Sequence, residues 1–242
     1  MHPYELHYFP HPPLYYLLFF LLLGFLLLLM VFHLIDYAYE RLGLSHRAAI
    51  TILFASLLGS AINIPVAELP AHQVVQAQII QFFGMQYVVP HVVNQQQTII
   101  AVNVGGAVIP VLLCTYLMLR YGVSRRLLLG LAVVTLVVHL LARPVAGVGI
   151  TLPPLIPSLS AAGAAILLDR RAAPRTAYIS GTLGTLIGAD ILNLGSVQAL
   201  HAPVASIGGA GTFDGVFLTG IIAVLLAGFA WSGPPAPREA GS

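Results

Sequence analysis

Ser180 to Phe217 reads SGTLGTLIGADILNLGSVQALHAPVASIGGAGTFDGVF, and this stretch sets two aspartates into a strongly apolar sequence. Asp190 interrupts the pattern of an apolar helix, and Asp214 follows a cluster of glycines. Placing one carboxylate in hydrocarbon costs at least ~2.5–3.5 kcal/mol, so such residues usually serve a function. The two aspartates are therefore the strongest chemical signal in the chain, and we expect the surrounding helices to hold them.

The composition is that of a membrane protein. Of the 242 residues, 58% are hydrophobic and only 7% are charged, a balance typical of membrane-embedded chains. All ten basic residues are arginines, and the net charge of +2 is too small and too scattered to indicate a nucleic-acid partner. A single cysteine, Cys114, excludes an intrachain disulfide. His33 and His139 fall in separate predicted helices, so we expect no metal site and no cofactor.

The apolar segments predict an all-α integral membrane protein of about seven transmembrane helices, with segments broken by glycine and proline. The first apolar run is too long for the apolar region of a signal peptide, so it is interpreted as a retained helix. The predicted spans are 14–35, 48–66, 98–119, 127–141, a helix entered through the prolines at 153–157, 176–197 and 213–231. Residues 14–231 would form one transmembrane domain, between an extracytoplasmic tail (1–13) and a disordered cytoplasmic tail (232–242).

Residues 67–97 differ in kind from these spans. They are rich in glutamine, lack arginine and lysine, and alternate apolar with polar residues on both sides of Gly84. Such alternation is typical of half-buried strands. The region therefore predicts a short extracytoplasmic β-hairpin or an amphipathic lip.

The arginines predict the orientation. Those at 41 and 47, at 120–126, at 170–175 and at 238 all fall on one side of the predicted spans, and only Arg143 falls on the other. Loops that carry arginine stay in the cytoplasm. We therefore expect a multi-pass protein of a prokaryotic inner or plasma membrane, with its N-terminus outside and its C-terminus in the cytoplasm.

The sixth predicted span combines a packing surface with a polar one. On a helical wheel, small residues cluster in one stripe, which contains Ala177, Gly181, Gly184, Gly188 and Gly195. Such stripes let helix backbones approach each other closely, and they also allow an oligomer. Asp190 and Asn193 fall together on roughly the opposite face. We therefore expect this helix to lie inside the bundle.

Asp214 lies in the first turn of the seventh predicted span, where the helix dipole favours a negative charge. The glycines before it, Gly208, Gly209 and Gly211, allow the chain to bend into the helix. An aspartate that only caps the helix would fit the same pattern. If it instead converges with Asp190, the two carboxylates could share a proton and act as general acid and general base.

Asparagine and proline recur in two other spans, at Asn63 with Pro65 and at Asn103 with Pro110. These positions are interpreted either as broken membrane helices, as in transporters with internal repeats, or as the frayed outer ends of ordinary helices. Both interpretations remain open from the sequence.

Four motifs carry a resemblance to known families: GSAINIP, NVGGAVIP, GTLIGAD and SIGGAGTFDG. Together they resemble, over nearly the whole chain, a prokaryotic family of polytopic membrane proteins known only as a domain of unknown function. The last two motifs are also similar to those of presenilin-type intramembrane aspartyl proteases and prepilin peptidases. That second resemblance implies catalysis by Asp190 and Asp214, although two residues here separate Gly211 from Asp214.

Three functions are therefore open. The first is an intramembrane aspartyl protease that uses Asp190 and Asp214 on a membrane-protein substrate. The second is a transporter or channel for a small ion or solute, whose path would be lined by Asn63, Asn103, Asn193, Gly208, Gly209 and Gly211. The third is a non-enzymatic subunit of a membrane complex. Each places the protein in contact with the lipid bilayer.

Overall fold

The computed structural model describes residues 13–70, 73–82, 85–94, 97–145, 149–200, 203–209 and 215–230. Both predicted tails, except Pro13 at the start of α1, lie outside these residues, as do Gly211 and Asp214. Seven α-helices occur in the described ranges: α1 Pro13–Arg41, α2 His46–Gly59, α3 Ile109–Tyr121, α4 Arg125–Leu141, α5 Ile156–Leu168, α6 Ala173–Thr185 and α7 Gly215–Ala230. The fold is thus mostly helical, with small sheets.

Two π-helical turns adjoin these helices. Val104–Val108 leads directly into α3, and Leu186–Ile191 continues α6. A 3-10 helix, Leu194–Leu200, follows. Because π-helical hydrogen bonds span five residues, each turn shifts the residues that follow it relative to a plain α-helix.

Within the described residues, two helices are long and apolar enough to cross a membrane: Leu14–Arg41, and the joined helix Val104–Tyr121. The helices His46–Gly59, Ile156–Leu168 and Gly215–Ala230 are apolar but shorter. In α1 the large apolar residues from Leu14 to Phe32 are exposed except Tyr16, which is partly buried, so it is mainly the C-terminal part of α1 that packs against the rest of the protein.

The bundle is packed around α6 through small residues. A Cβ added at Gly181 would lie 3.1 Å from the Cβ of Ala161 in α5. At Gly188 the same atom would lie 2.6 Å from the carbonyl oxygen of Thr135 in α4. The predicted glycine stripe is therefore confirmed as a packing surface, except that nothing lies within 4 Å of a Cβ at Gly195.

The arginine-bearing loops meet at one end of the bundle. The Tyr121 hydroxyl at the end of α3 donates to the carbonyl of Leu42 after α1 (3.5 Å), and the Arg175 guanidinium near the start of α6 lies 3.9 Å from the centre of the Tyr121 ring. Arg126 of α4 lies 4.0 Å from Asp169 after α5. These contacts gather the ends of five helices.

A three-stranded sheet covers the opposite end. Its strands are β1 Asn63–Leu69, β4 Thr98–Asn103 and β7 Val204–Ile207, in the order β1-β4-β7. β4 pairs with β1 antiparallel and with β7 parallel. A second hairpin, β5 Arg143–Val145 with β6 Gly149–Thr151, forms a separate small sheet.

Two predicted helix ends are therefore strands. The second span was predicted to reach residue 66, but α2 ends at Gly59 and β1 begins at Asn63. The third was predicted to begin at residue 98, which instead starts β4. Pro65 lies within β1, and Pro110 is at the start of α3 just after the π-helical turn. Neither proline breaks a helix, because both occupy positions where a missing N–H is tolerated.

The predicted hairpin is confirmed and is longer than expected. β2 Gln73–Phe82 pairs antiparallel with β3 Met85–Asn94. Moving from the pair Leu69 with Thr98 to the pair Gln73 with Asn94 advances both arms by the same number of residues. From Ala67 onward the two pairings therefore share one register, and a bulge between Pro65 and Ala67 shifts the pairing by one residue before it reaches Asn63 and Asn103.

Candidate functional site

Asp190 is anchored to the turn that follows β7. It lies in the π-helical turn after α6, and its Oδ2 accepts a hydrogen bond from the backbone N–H of Gly208 at 2.7 Å. Gly208 has a φ of +80°, and a Cβ there would lie 2.5 Å from the Cβ of Ala107. Only glycine fits this turn, because it needs both a left-handed backbone and close contact with the other π-helical turn.

Only one carboxylate oxygen of Asp190 has a hydrogen-bond donor in the described ranges. Oδ2 accepts from Gly208, Oδ1 accepts from no described residue, and Asp190 itself is half-buried. The N–H of Gly208 thus fixes the carboxylate through a single oxygen.

Asn103 links the sheet to the helices beneath it. Its Nδ2 donates to the Ser60 carbonyl (2.8 Å) and to Asn63 Oδ1 (3.1 Å). Its Oδ1 accepts from the N–H of Gly106 (2.8 Å), which caps the first π-helical turn. All of these amide atoms are engaged, because an asparagine amide offers two N–H donors and one oxygen. Asn103 therefore has a structural role, because it connects β4 to Ser60 after α2, to Asn63 of β1 and to the first π-helical turn.

Asn63 and Ser206 extend this hydrogen-bond network across the sheet. Asn63 Oδ1 accepts a second hydrogen bond, from the Ser206 hydroxyl at 2.6 Å. Asn63, Asn103 and Ser206 lie on β1, β4 and β7, so one connected set of side chains crosses the whole sheet. We call these three residues, with Ser60 and Gly106, the asparagine cluster.

The asparagine cluster and the Asp190 anchor meet at the turn after β7. A Cβ added at Gly209 would lie 3.0 Å from Asn103 Cγ, and its neighbour Gly208 bonds to Asp190. The structure therefore brings together five residues that the sequence singled out: Asn63, Asn103, Asp190, Gly208 and Gly209.

Asn193 does not join them. Its Nδ2 donates to the carbonyls of Gly188 (2.9 Å) and Ala189 (3.0 Å), and lies 3.5 Å from Nδ1 of His139 in α4. Asp190 and Asn193 thus have different hydrogen-bond partners, and that the two share one helix face stays a prediction.

Three members of the asparagine cluster were missed from the sequence: Ser60, Gly106 and Ser206. Ser60 lies in GSAINIP, Gly106 in NVGGAVIP and Ser206 in SIGGAGTFDG. Each is therefore within three residues of a predicted site residue: Asn63, Asn103 and Gly208, respectively. That proximity was the available signal, since serine beside glycine often marks a turn or a cap.

No group of three or more His, Cys, Asp or Glu residues that could hold a metal ion occurs in the parts of the chain that the structure describes.

A family model described as "Protein of unknown function (DUF1614)" matches residues 57–226, more than half of the chain. The chain belongs to this family. The DUF1614 match begins just before GSAINIP and ends within α7, so that the asparagine cluster and Asp190 lie entirely inside it, while α1 lies outside. No curated protein and no solved structure matches the chain. The predicted resemblance to an uncharacterised family is thus confirmed, and the comparisons give no support to the resemblance to presenilin-type proteases.

Proposed function

We propose that this chain is a multi-pass membrane protein that cleaves peptide bonds within the membrane, with Asp190 and Asp214 as its catalytic pair. One observation carries the proposal: the Asp190 carboxylate is held by a single hydrogen bond from Gly208, and its other oxygen is free of partners in the described ranges. Gly208 begins the short segment that leads to Asp214.

The packing of α6 against α7 supports a meeting of the two aspartates. A Cβ at Gly220 would lie 2.6 Å from Thr182 Oγ1, so the helices touch at this level. At 1.5 Å per residue, Asp190 lies about 12 Å from Thr182 along α6 and its π-helical turn, toward the sheet end of the bundle. Gly215 lies about 7.5 Å from Gly220 along α7, toward the same end. Asp190 and Gly215, the first residue of α7, therefore lie within about 5 Å of each other in height, and Asp214 directly precedes Gly215 in the sequence.

The chemistry follows from two carboxyl groups that share one proton. The ionised group removes a proton from a water molecule, whose oxygen then attacks the carbonyl carbon of the peptide bond. The protonated group gives its proton to the carbonyl oxygen, which yields a tetrahedral intermediate with two hydroxyls. The carboxyl that took the proton from water then passes it to the amide nitrogen, the other carboxylate takes back a proton from one hydroxyl, and the carbon–nitrogen bond breaks to give an amine and a carboxylic acid. The N–H of Gly208 would orient Asp190 so that Oδ1 faces the water.

The proposed topology has seven spans. The joined helix of α6 and its π-helical turn, Ala173 to Ile191, is about 28 Å long, whereas α2 and α5 are only about 20 Å long, at 1.5 Å per residue. Short helices are accommodated by thinning of the bilayer around them. Since basic loops stay in the cytoplasm, the arginine end would face the cytoplasm and the sheet would lie outside.

Transport is the main alternative, and the asparagine cluster weighs against it. Asn103 was expected to line a cargo path, yet its amide is fully used in holding the sheet. A transporter in which Asp190 alone binds an ion would still fit, so the experiment below includes a flux measurement.

The test uses an apolar peptide in which a hydroxyethylene group replaces the scissile amide and a photoreactive group allows labelling. Its hydroxyl imitates the tetrahedral intermediate, which an aspartyl protease binds more tightly than substrate. We expect the purified protein to be labelled, and the labelling to be lost in Asp190→Asn and in Asp214→Asn. Asparagine retains an oxygen that can accept from Gly208, so the first variant should keep its fold.

Glu68→Gln is the matched control, because Glu68 is an exposed acid on β1 at the same end of the protein. It should be labelled like the original chain. Labelling that persists in both aspartate variants would refute the protease. Proton or ion flux into liposomes that depends on Asp190 would then support transport.

A further inference from the structure

Most arginines of the chain lie at the arginine end of the bundle, where the loops after α1, α3 and α5 meet. Eight of the ten arginines belong to this end: Arg41, Arg47, Arg120, Arg125, Arg126, Arg170, Arg171 and Arg175. Among the described residues, three acids share it: Asp36, Glu40 and Asp169. The arginine end therefore carries a large excess of positive charge.

Three helices begin at this end, and each places positive charge at the positive end of its own dipole. α2 begins with His46 and Arg47, α4 begins with Arg125 and Arg126, and α6 has Arg175 in its first turn. No acid occurs in any of these first turns. Cations at a helix N-terminus are unfavourable, whereas an anion there is stabilised. The arrangement therefore fits an anionic partner at this end.

Tyr121 gathers two of the arginines at the junction of α3 and α6. The guanidinium carbon of Arg175 lies 3.9 Å from the centre of the Tyr121 ring, and that of Arg120 lies 5.3 Å from it. Arg120 also donates to the Tyr116 hydroxyl at 2.6 Å. The Tyr121 ring is itself held, because its hydroxyl donates to the carbonyl of Leu42. Two guanidinium groups are thus kept at one place on the surface.

Arg175 has hydrogen-bond donors to offer a ligand. It is half-buried, and within the described ranges its guanidinium makes no hydrogen bond and contacts no carboxylate. None of its nitrogens is fully enclosed, so a ligand can reach them. A guanidinium carries five N–H donors in a planar fork that matches the oxygens of a phosphate. Because the Tyr121 ring contacts the face of this fork, the donors along its edge are left for such a ligand.

Exposed apolar side chains beside the arginines favour a lipid over a soluble anion. Leu119, next to Arg120 in the sequence, is 82% exposed, and Leu167 at the end of α5 is 85% exposed. Tyrosines such as Tyr116 and Tyr121 are enriched where a membrane meets water. A phospholipid offers a phosphate and acyl chains at the same place, whereas a soluble anion offers only charge.

We propose that Arg120 and Arg175, gathered by Tyr121, bind the headgroup phosphate of an anionic phospholipid. The inference does not depend on the proposed catalytic pair. Basic sites between membrane helices bind such headgroups, and the surrounding arginines add attraction for a net negative lipid. Phosphatidylcholine carries a positive choline group that the same arginines repel, so the site should prefer phosphatidylglycerol.

The experiment measures lipid binding to the purified full chain in a non-ionic detergent. Native mass spectrometry counts the molecules of dioleoyl phosphatidylglycerol or dioleoyl phosphatidylcholine bound at increasing lipid concentrations. We expect phosphatidylglycerol to bind more tightly. Arg175→Gln and Arg120→Gln should each weaken its binding about fivefold, the contribution of one arginine near an anionic headgroup. Arg175→Lys should restore only part of the loss, because an ammonium lacks the planar fork.

Two arginines serve as matched controls. Arg143→Gln removes an exposed arginine from β5 at the other end, and Arg47→Gln removes an exposed arginine of the same end that does not contact the Tyr121 ring. Each should change binding by less than about twofold, since interactions between exposed charges are screened over about 10 Å. Tyr121→Phe keeps the ring and should bind like the original chain, whereas Tyr121→Leu should bind more weakly. These variants test the site even if Arg175→Gln does not fold.

Three results would overturn the proposal. A loss in Arg47→Gln as large as that in Arg175→Gln would show that overall charge, and not a site at Tyr121, attracts the lipid. Equal binding of the two lipids would remove the preference for an anionic headgroup. Binding of inorganic phosphate alone, with the same dependence on Arg175, would show that the site takes a soluble anion.

Discussion

The carboxylate of Asp190 and the backbone N–H of Gly208 form a 2.7 Å hydrogen bond across 18 residues of sequence. This bond ties the π-helical turn at the end of α6 to the turn after β7, and it therefore joins the helical bundle to the sheet. Gly208 also packs against Ala107 in the π-helical turn that precedes α3. Two π-helical turns and the sheet thus meet at one glycine, and π-helical turns are frequent at functional sites.

Gly208→Ala should destabilise the protein more than Gly122→Ala. The two glycines have almost the same φ, +80° and +78°, but a Cβ at Gly122 has nothing within 4 Å. Gly122→Ala should therefore cost only the backbone conformation, φ +78° with ψ 167°, which is essentially limited to glycine and costs about 1–3 kcal/mol for another residue. Gly208→Ala should cost about 1–3 kcal/mol more, because it also overpacks against Ala107. Thermal unfolding in detergent measures both, and equal losses would contradict the close contact.

Asn63 and Asn103 should be energetically coupled. Asn103→Ala leaves the buried N–H of Gly106 unsatisfied and should cost about 1–3 kcal/mol, whereas Asn63 is exposed, so Asn63→Ala should cost about 0.5–1.5 kcal/mol. The double variant should cost less than the two together, by about 0.5–3 kcal/mol, because both share one hydrogen bond at 3.1 Å. A double-mutant cycle measured by thermal unfolding tests this, and strict additivity would show that the cluster does not act as a unit.

Gly188→Ala should separate α4 from α6, whereas Gly195→Ala should not. At Gly188 a Cβ would meet the backbone carbonyl of Thr135 at 2.6 Å, and at Gly195 it has open space. We expect a loss of about 1–3 kcal/mol for the first change and less than about 0.5 kcal/mol for the second. If Gly188→Ala unfolds at the original temperature, the close packing of these helices is wrong.

Thr185→Val should leave stability unchanged or raise it. The Thr185 hydroxyl is buried without a hydrogen bond, so an apolar group of the same shape removes an unsatisfied atom. Thr176→Val is the control, because the Thr176 hydroxyl donates to Asp169 at 3.0 Å and its loss should cost about 1.5–3 kcal/mol. A large loss from Thr185→Val would mean that its hydroxyl has a partner.

Reporter fusions should distinguish the two ends of the bundle. A fusion after Gln97 lies at the sheet end and one after Arg171 lies at the arginine end, so they should report opposite sides of the membrane. The same answer from both fusions would refute the proposed topology.

The helices and their packing surfaces were largely predictable. Gly181, Gly184 and Gly188 predicted where α6 is packed, because helix backbones approach closely only where side chains are small. The glutamine-rich alternation likewise predicted a hairpin within 67–97. These are local patterns, and local patterns can be read from one segment at a time.

The strands at the site were not predictable in the same way. INIPV and IIAVN are short apolar runs, which periodicity cannot assign to helix or strand. Their state depends on a partner, since Asn63 pairs with Asn103 and β4 pairs with β7 more than 100 residues later. The π-helical turn from Leu186 to Ile191 was not predictable from the helical wheel either, because the wheel assumes α-helical spacing throughout.

By itself, the sequence determined that this chain is strongly apolar, that its arginines are segregated into loops, and that Asp190 interrupts an apolar helix. Composition and short-range periodicity suffice for these features, because they depend on the transfer of side chains out of water. Only the tertiary structure decided that Asn63, Asn103, Ser206, Gly208 and Asp190 belong to one site. Hydrogen bonds between distant segments form only when pairing and packing bring the donor and acceptor within about 3 Å of each other.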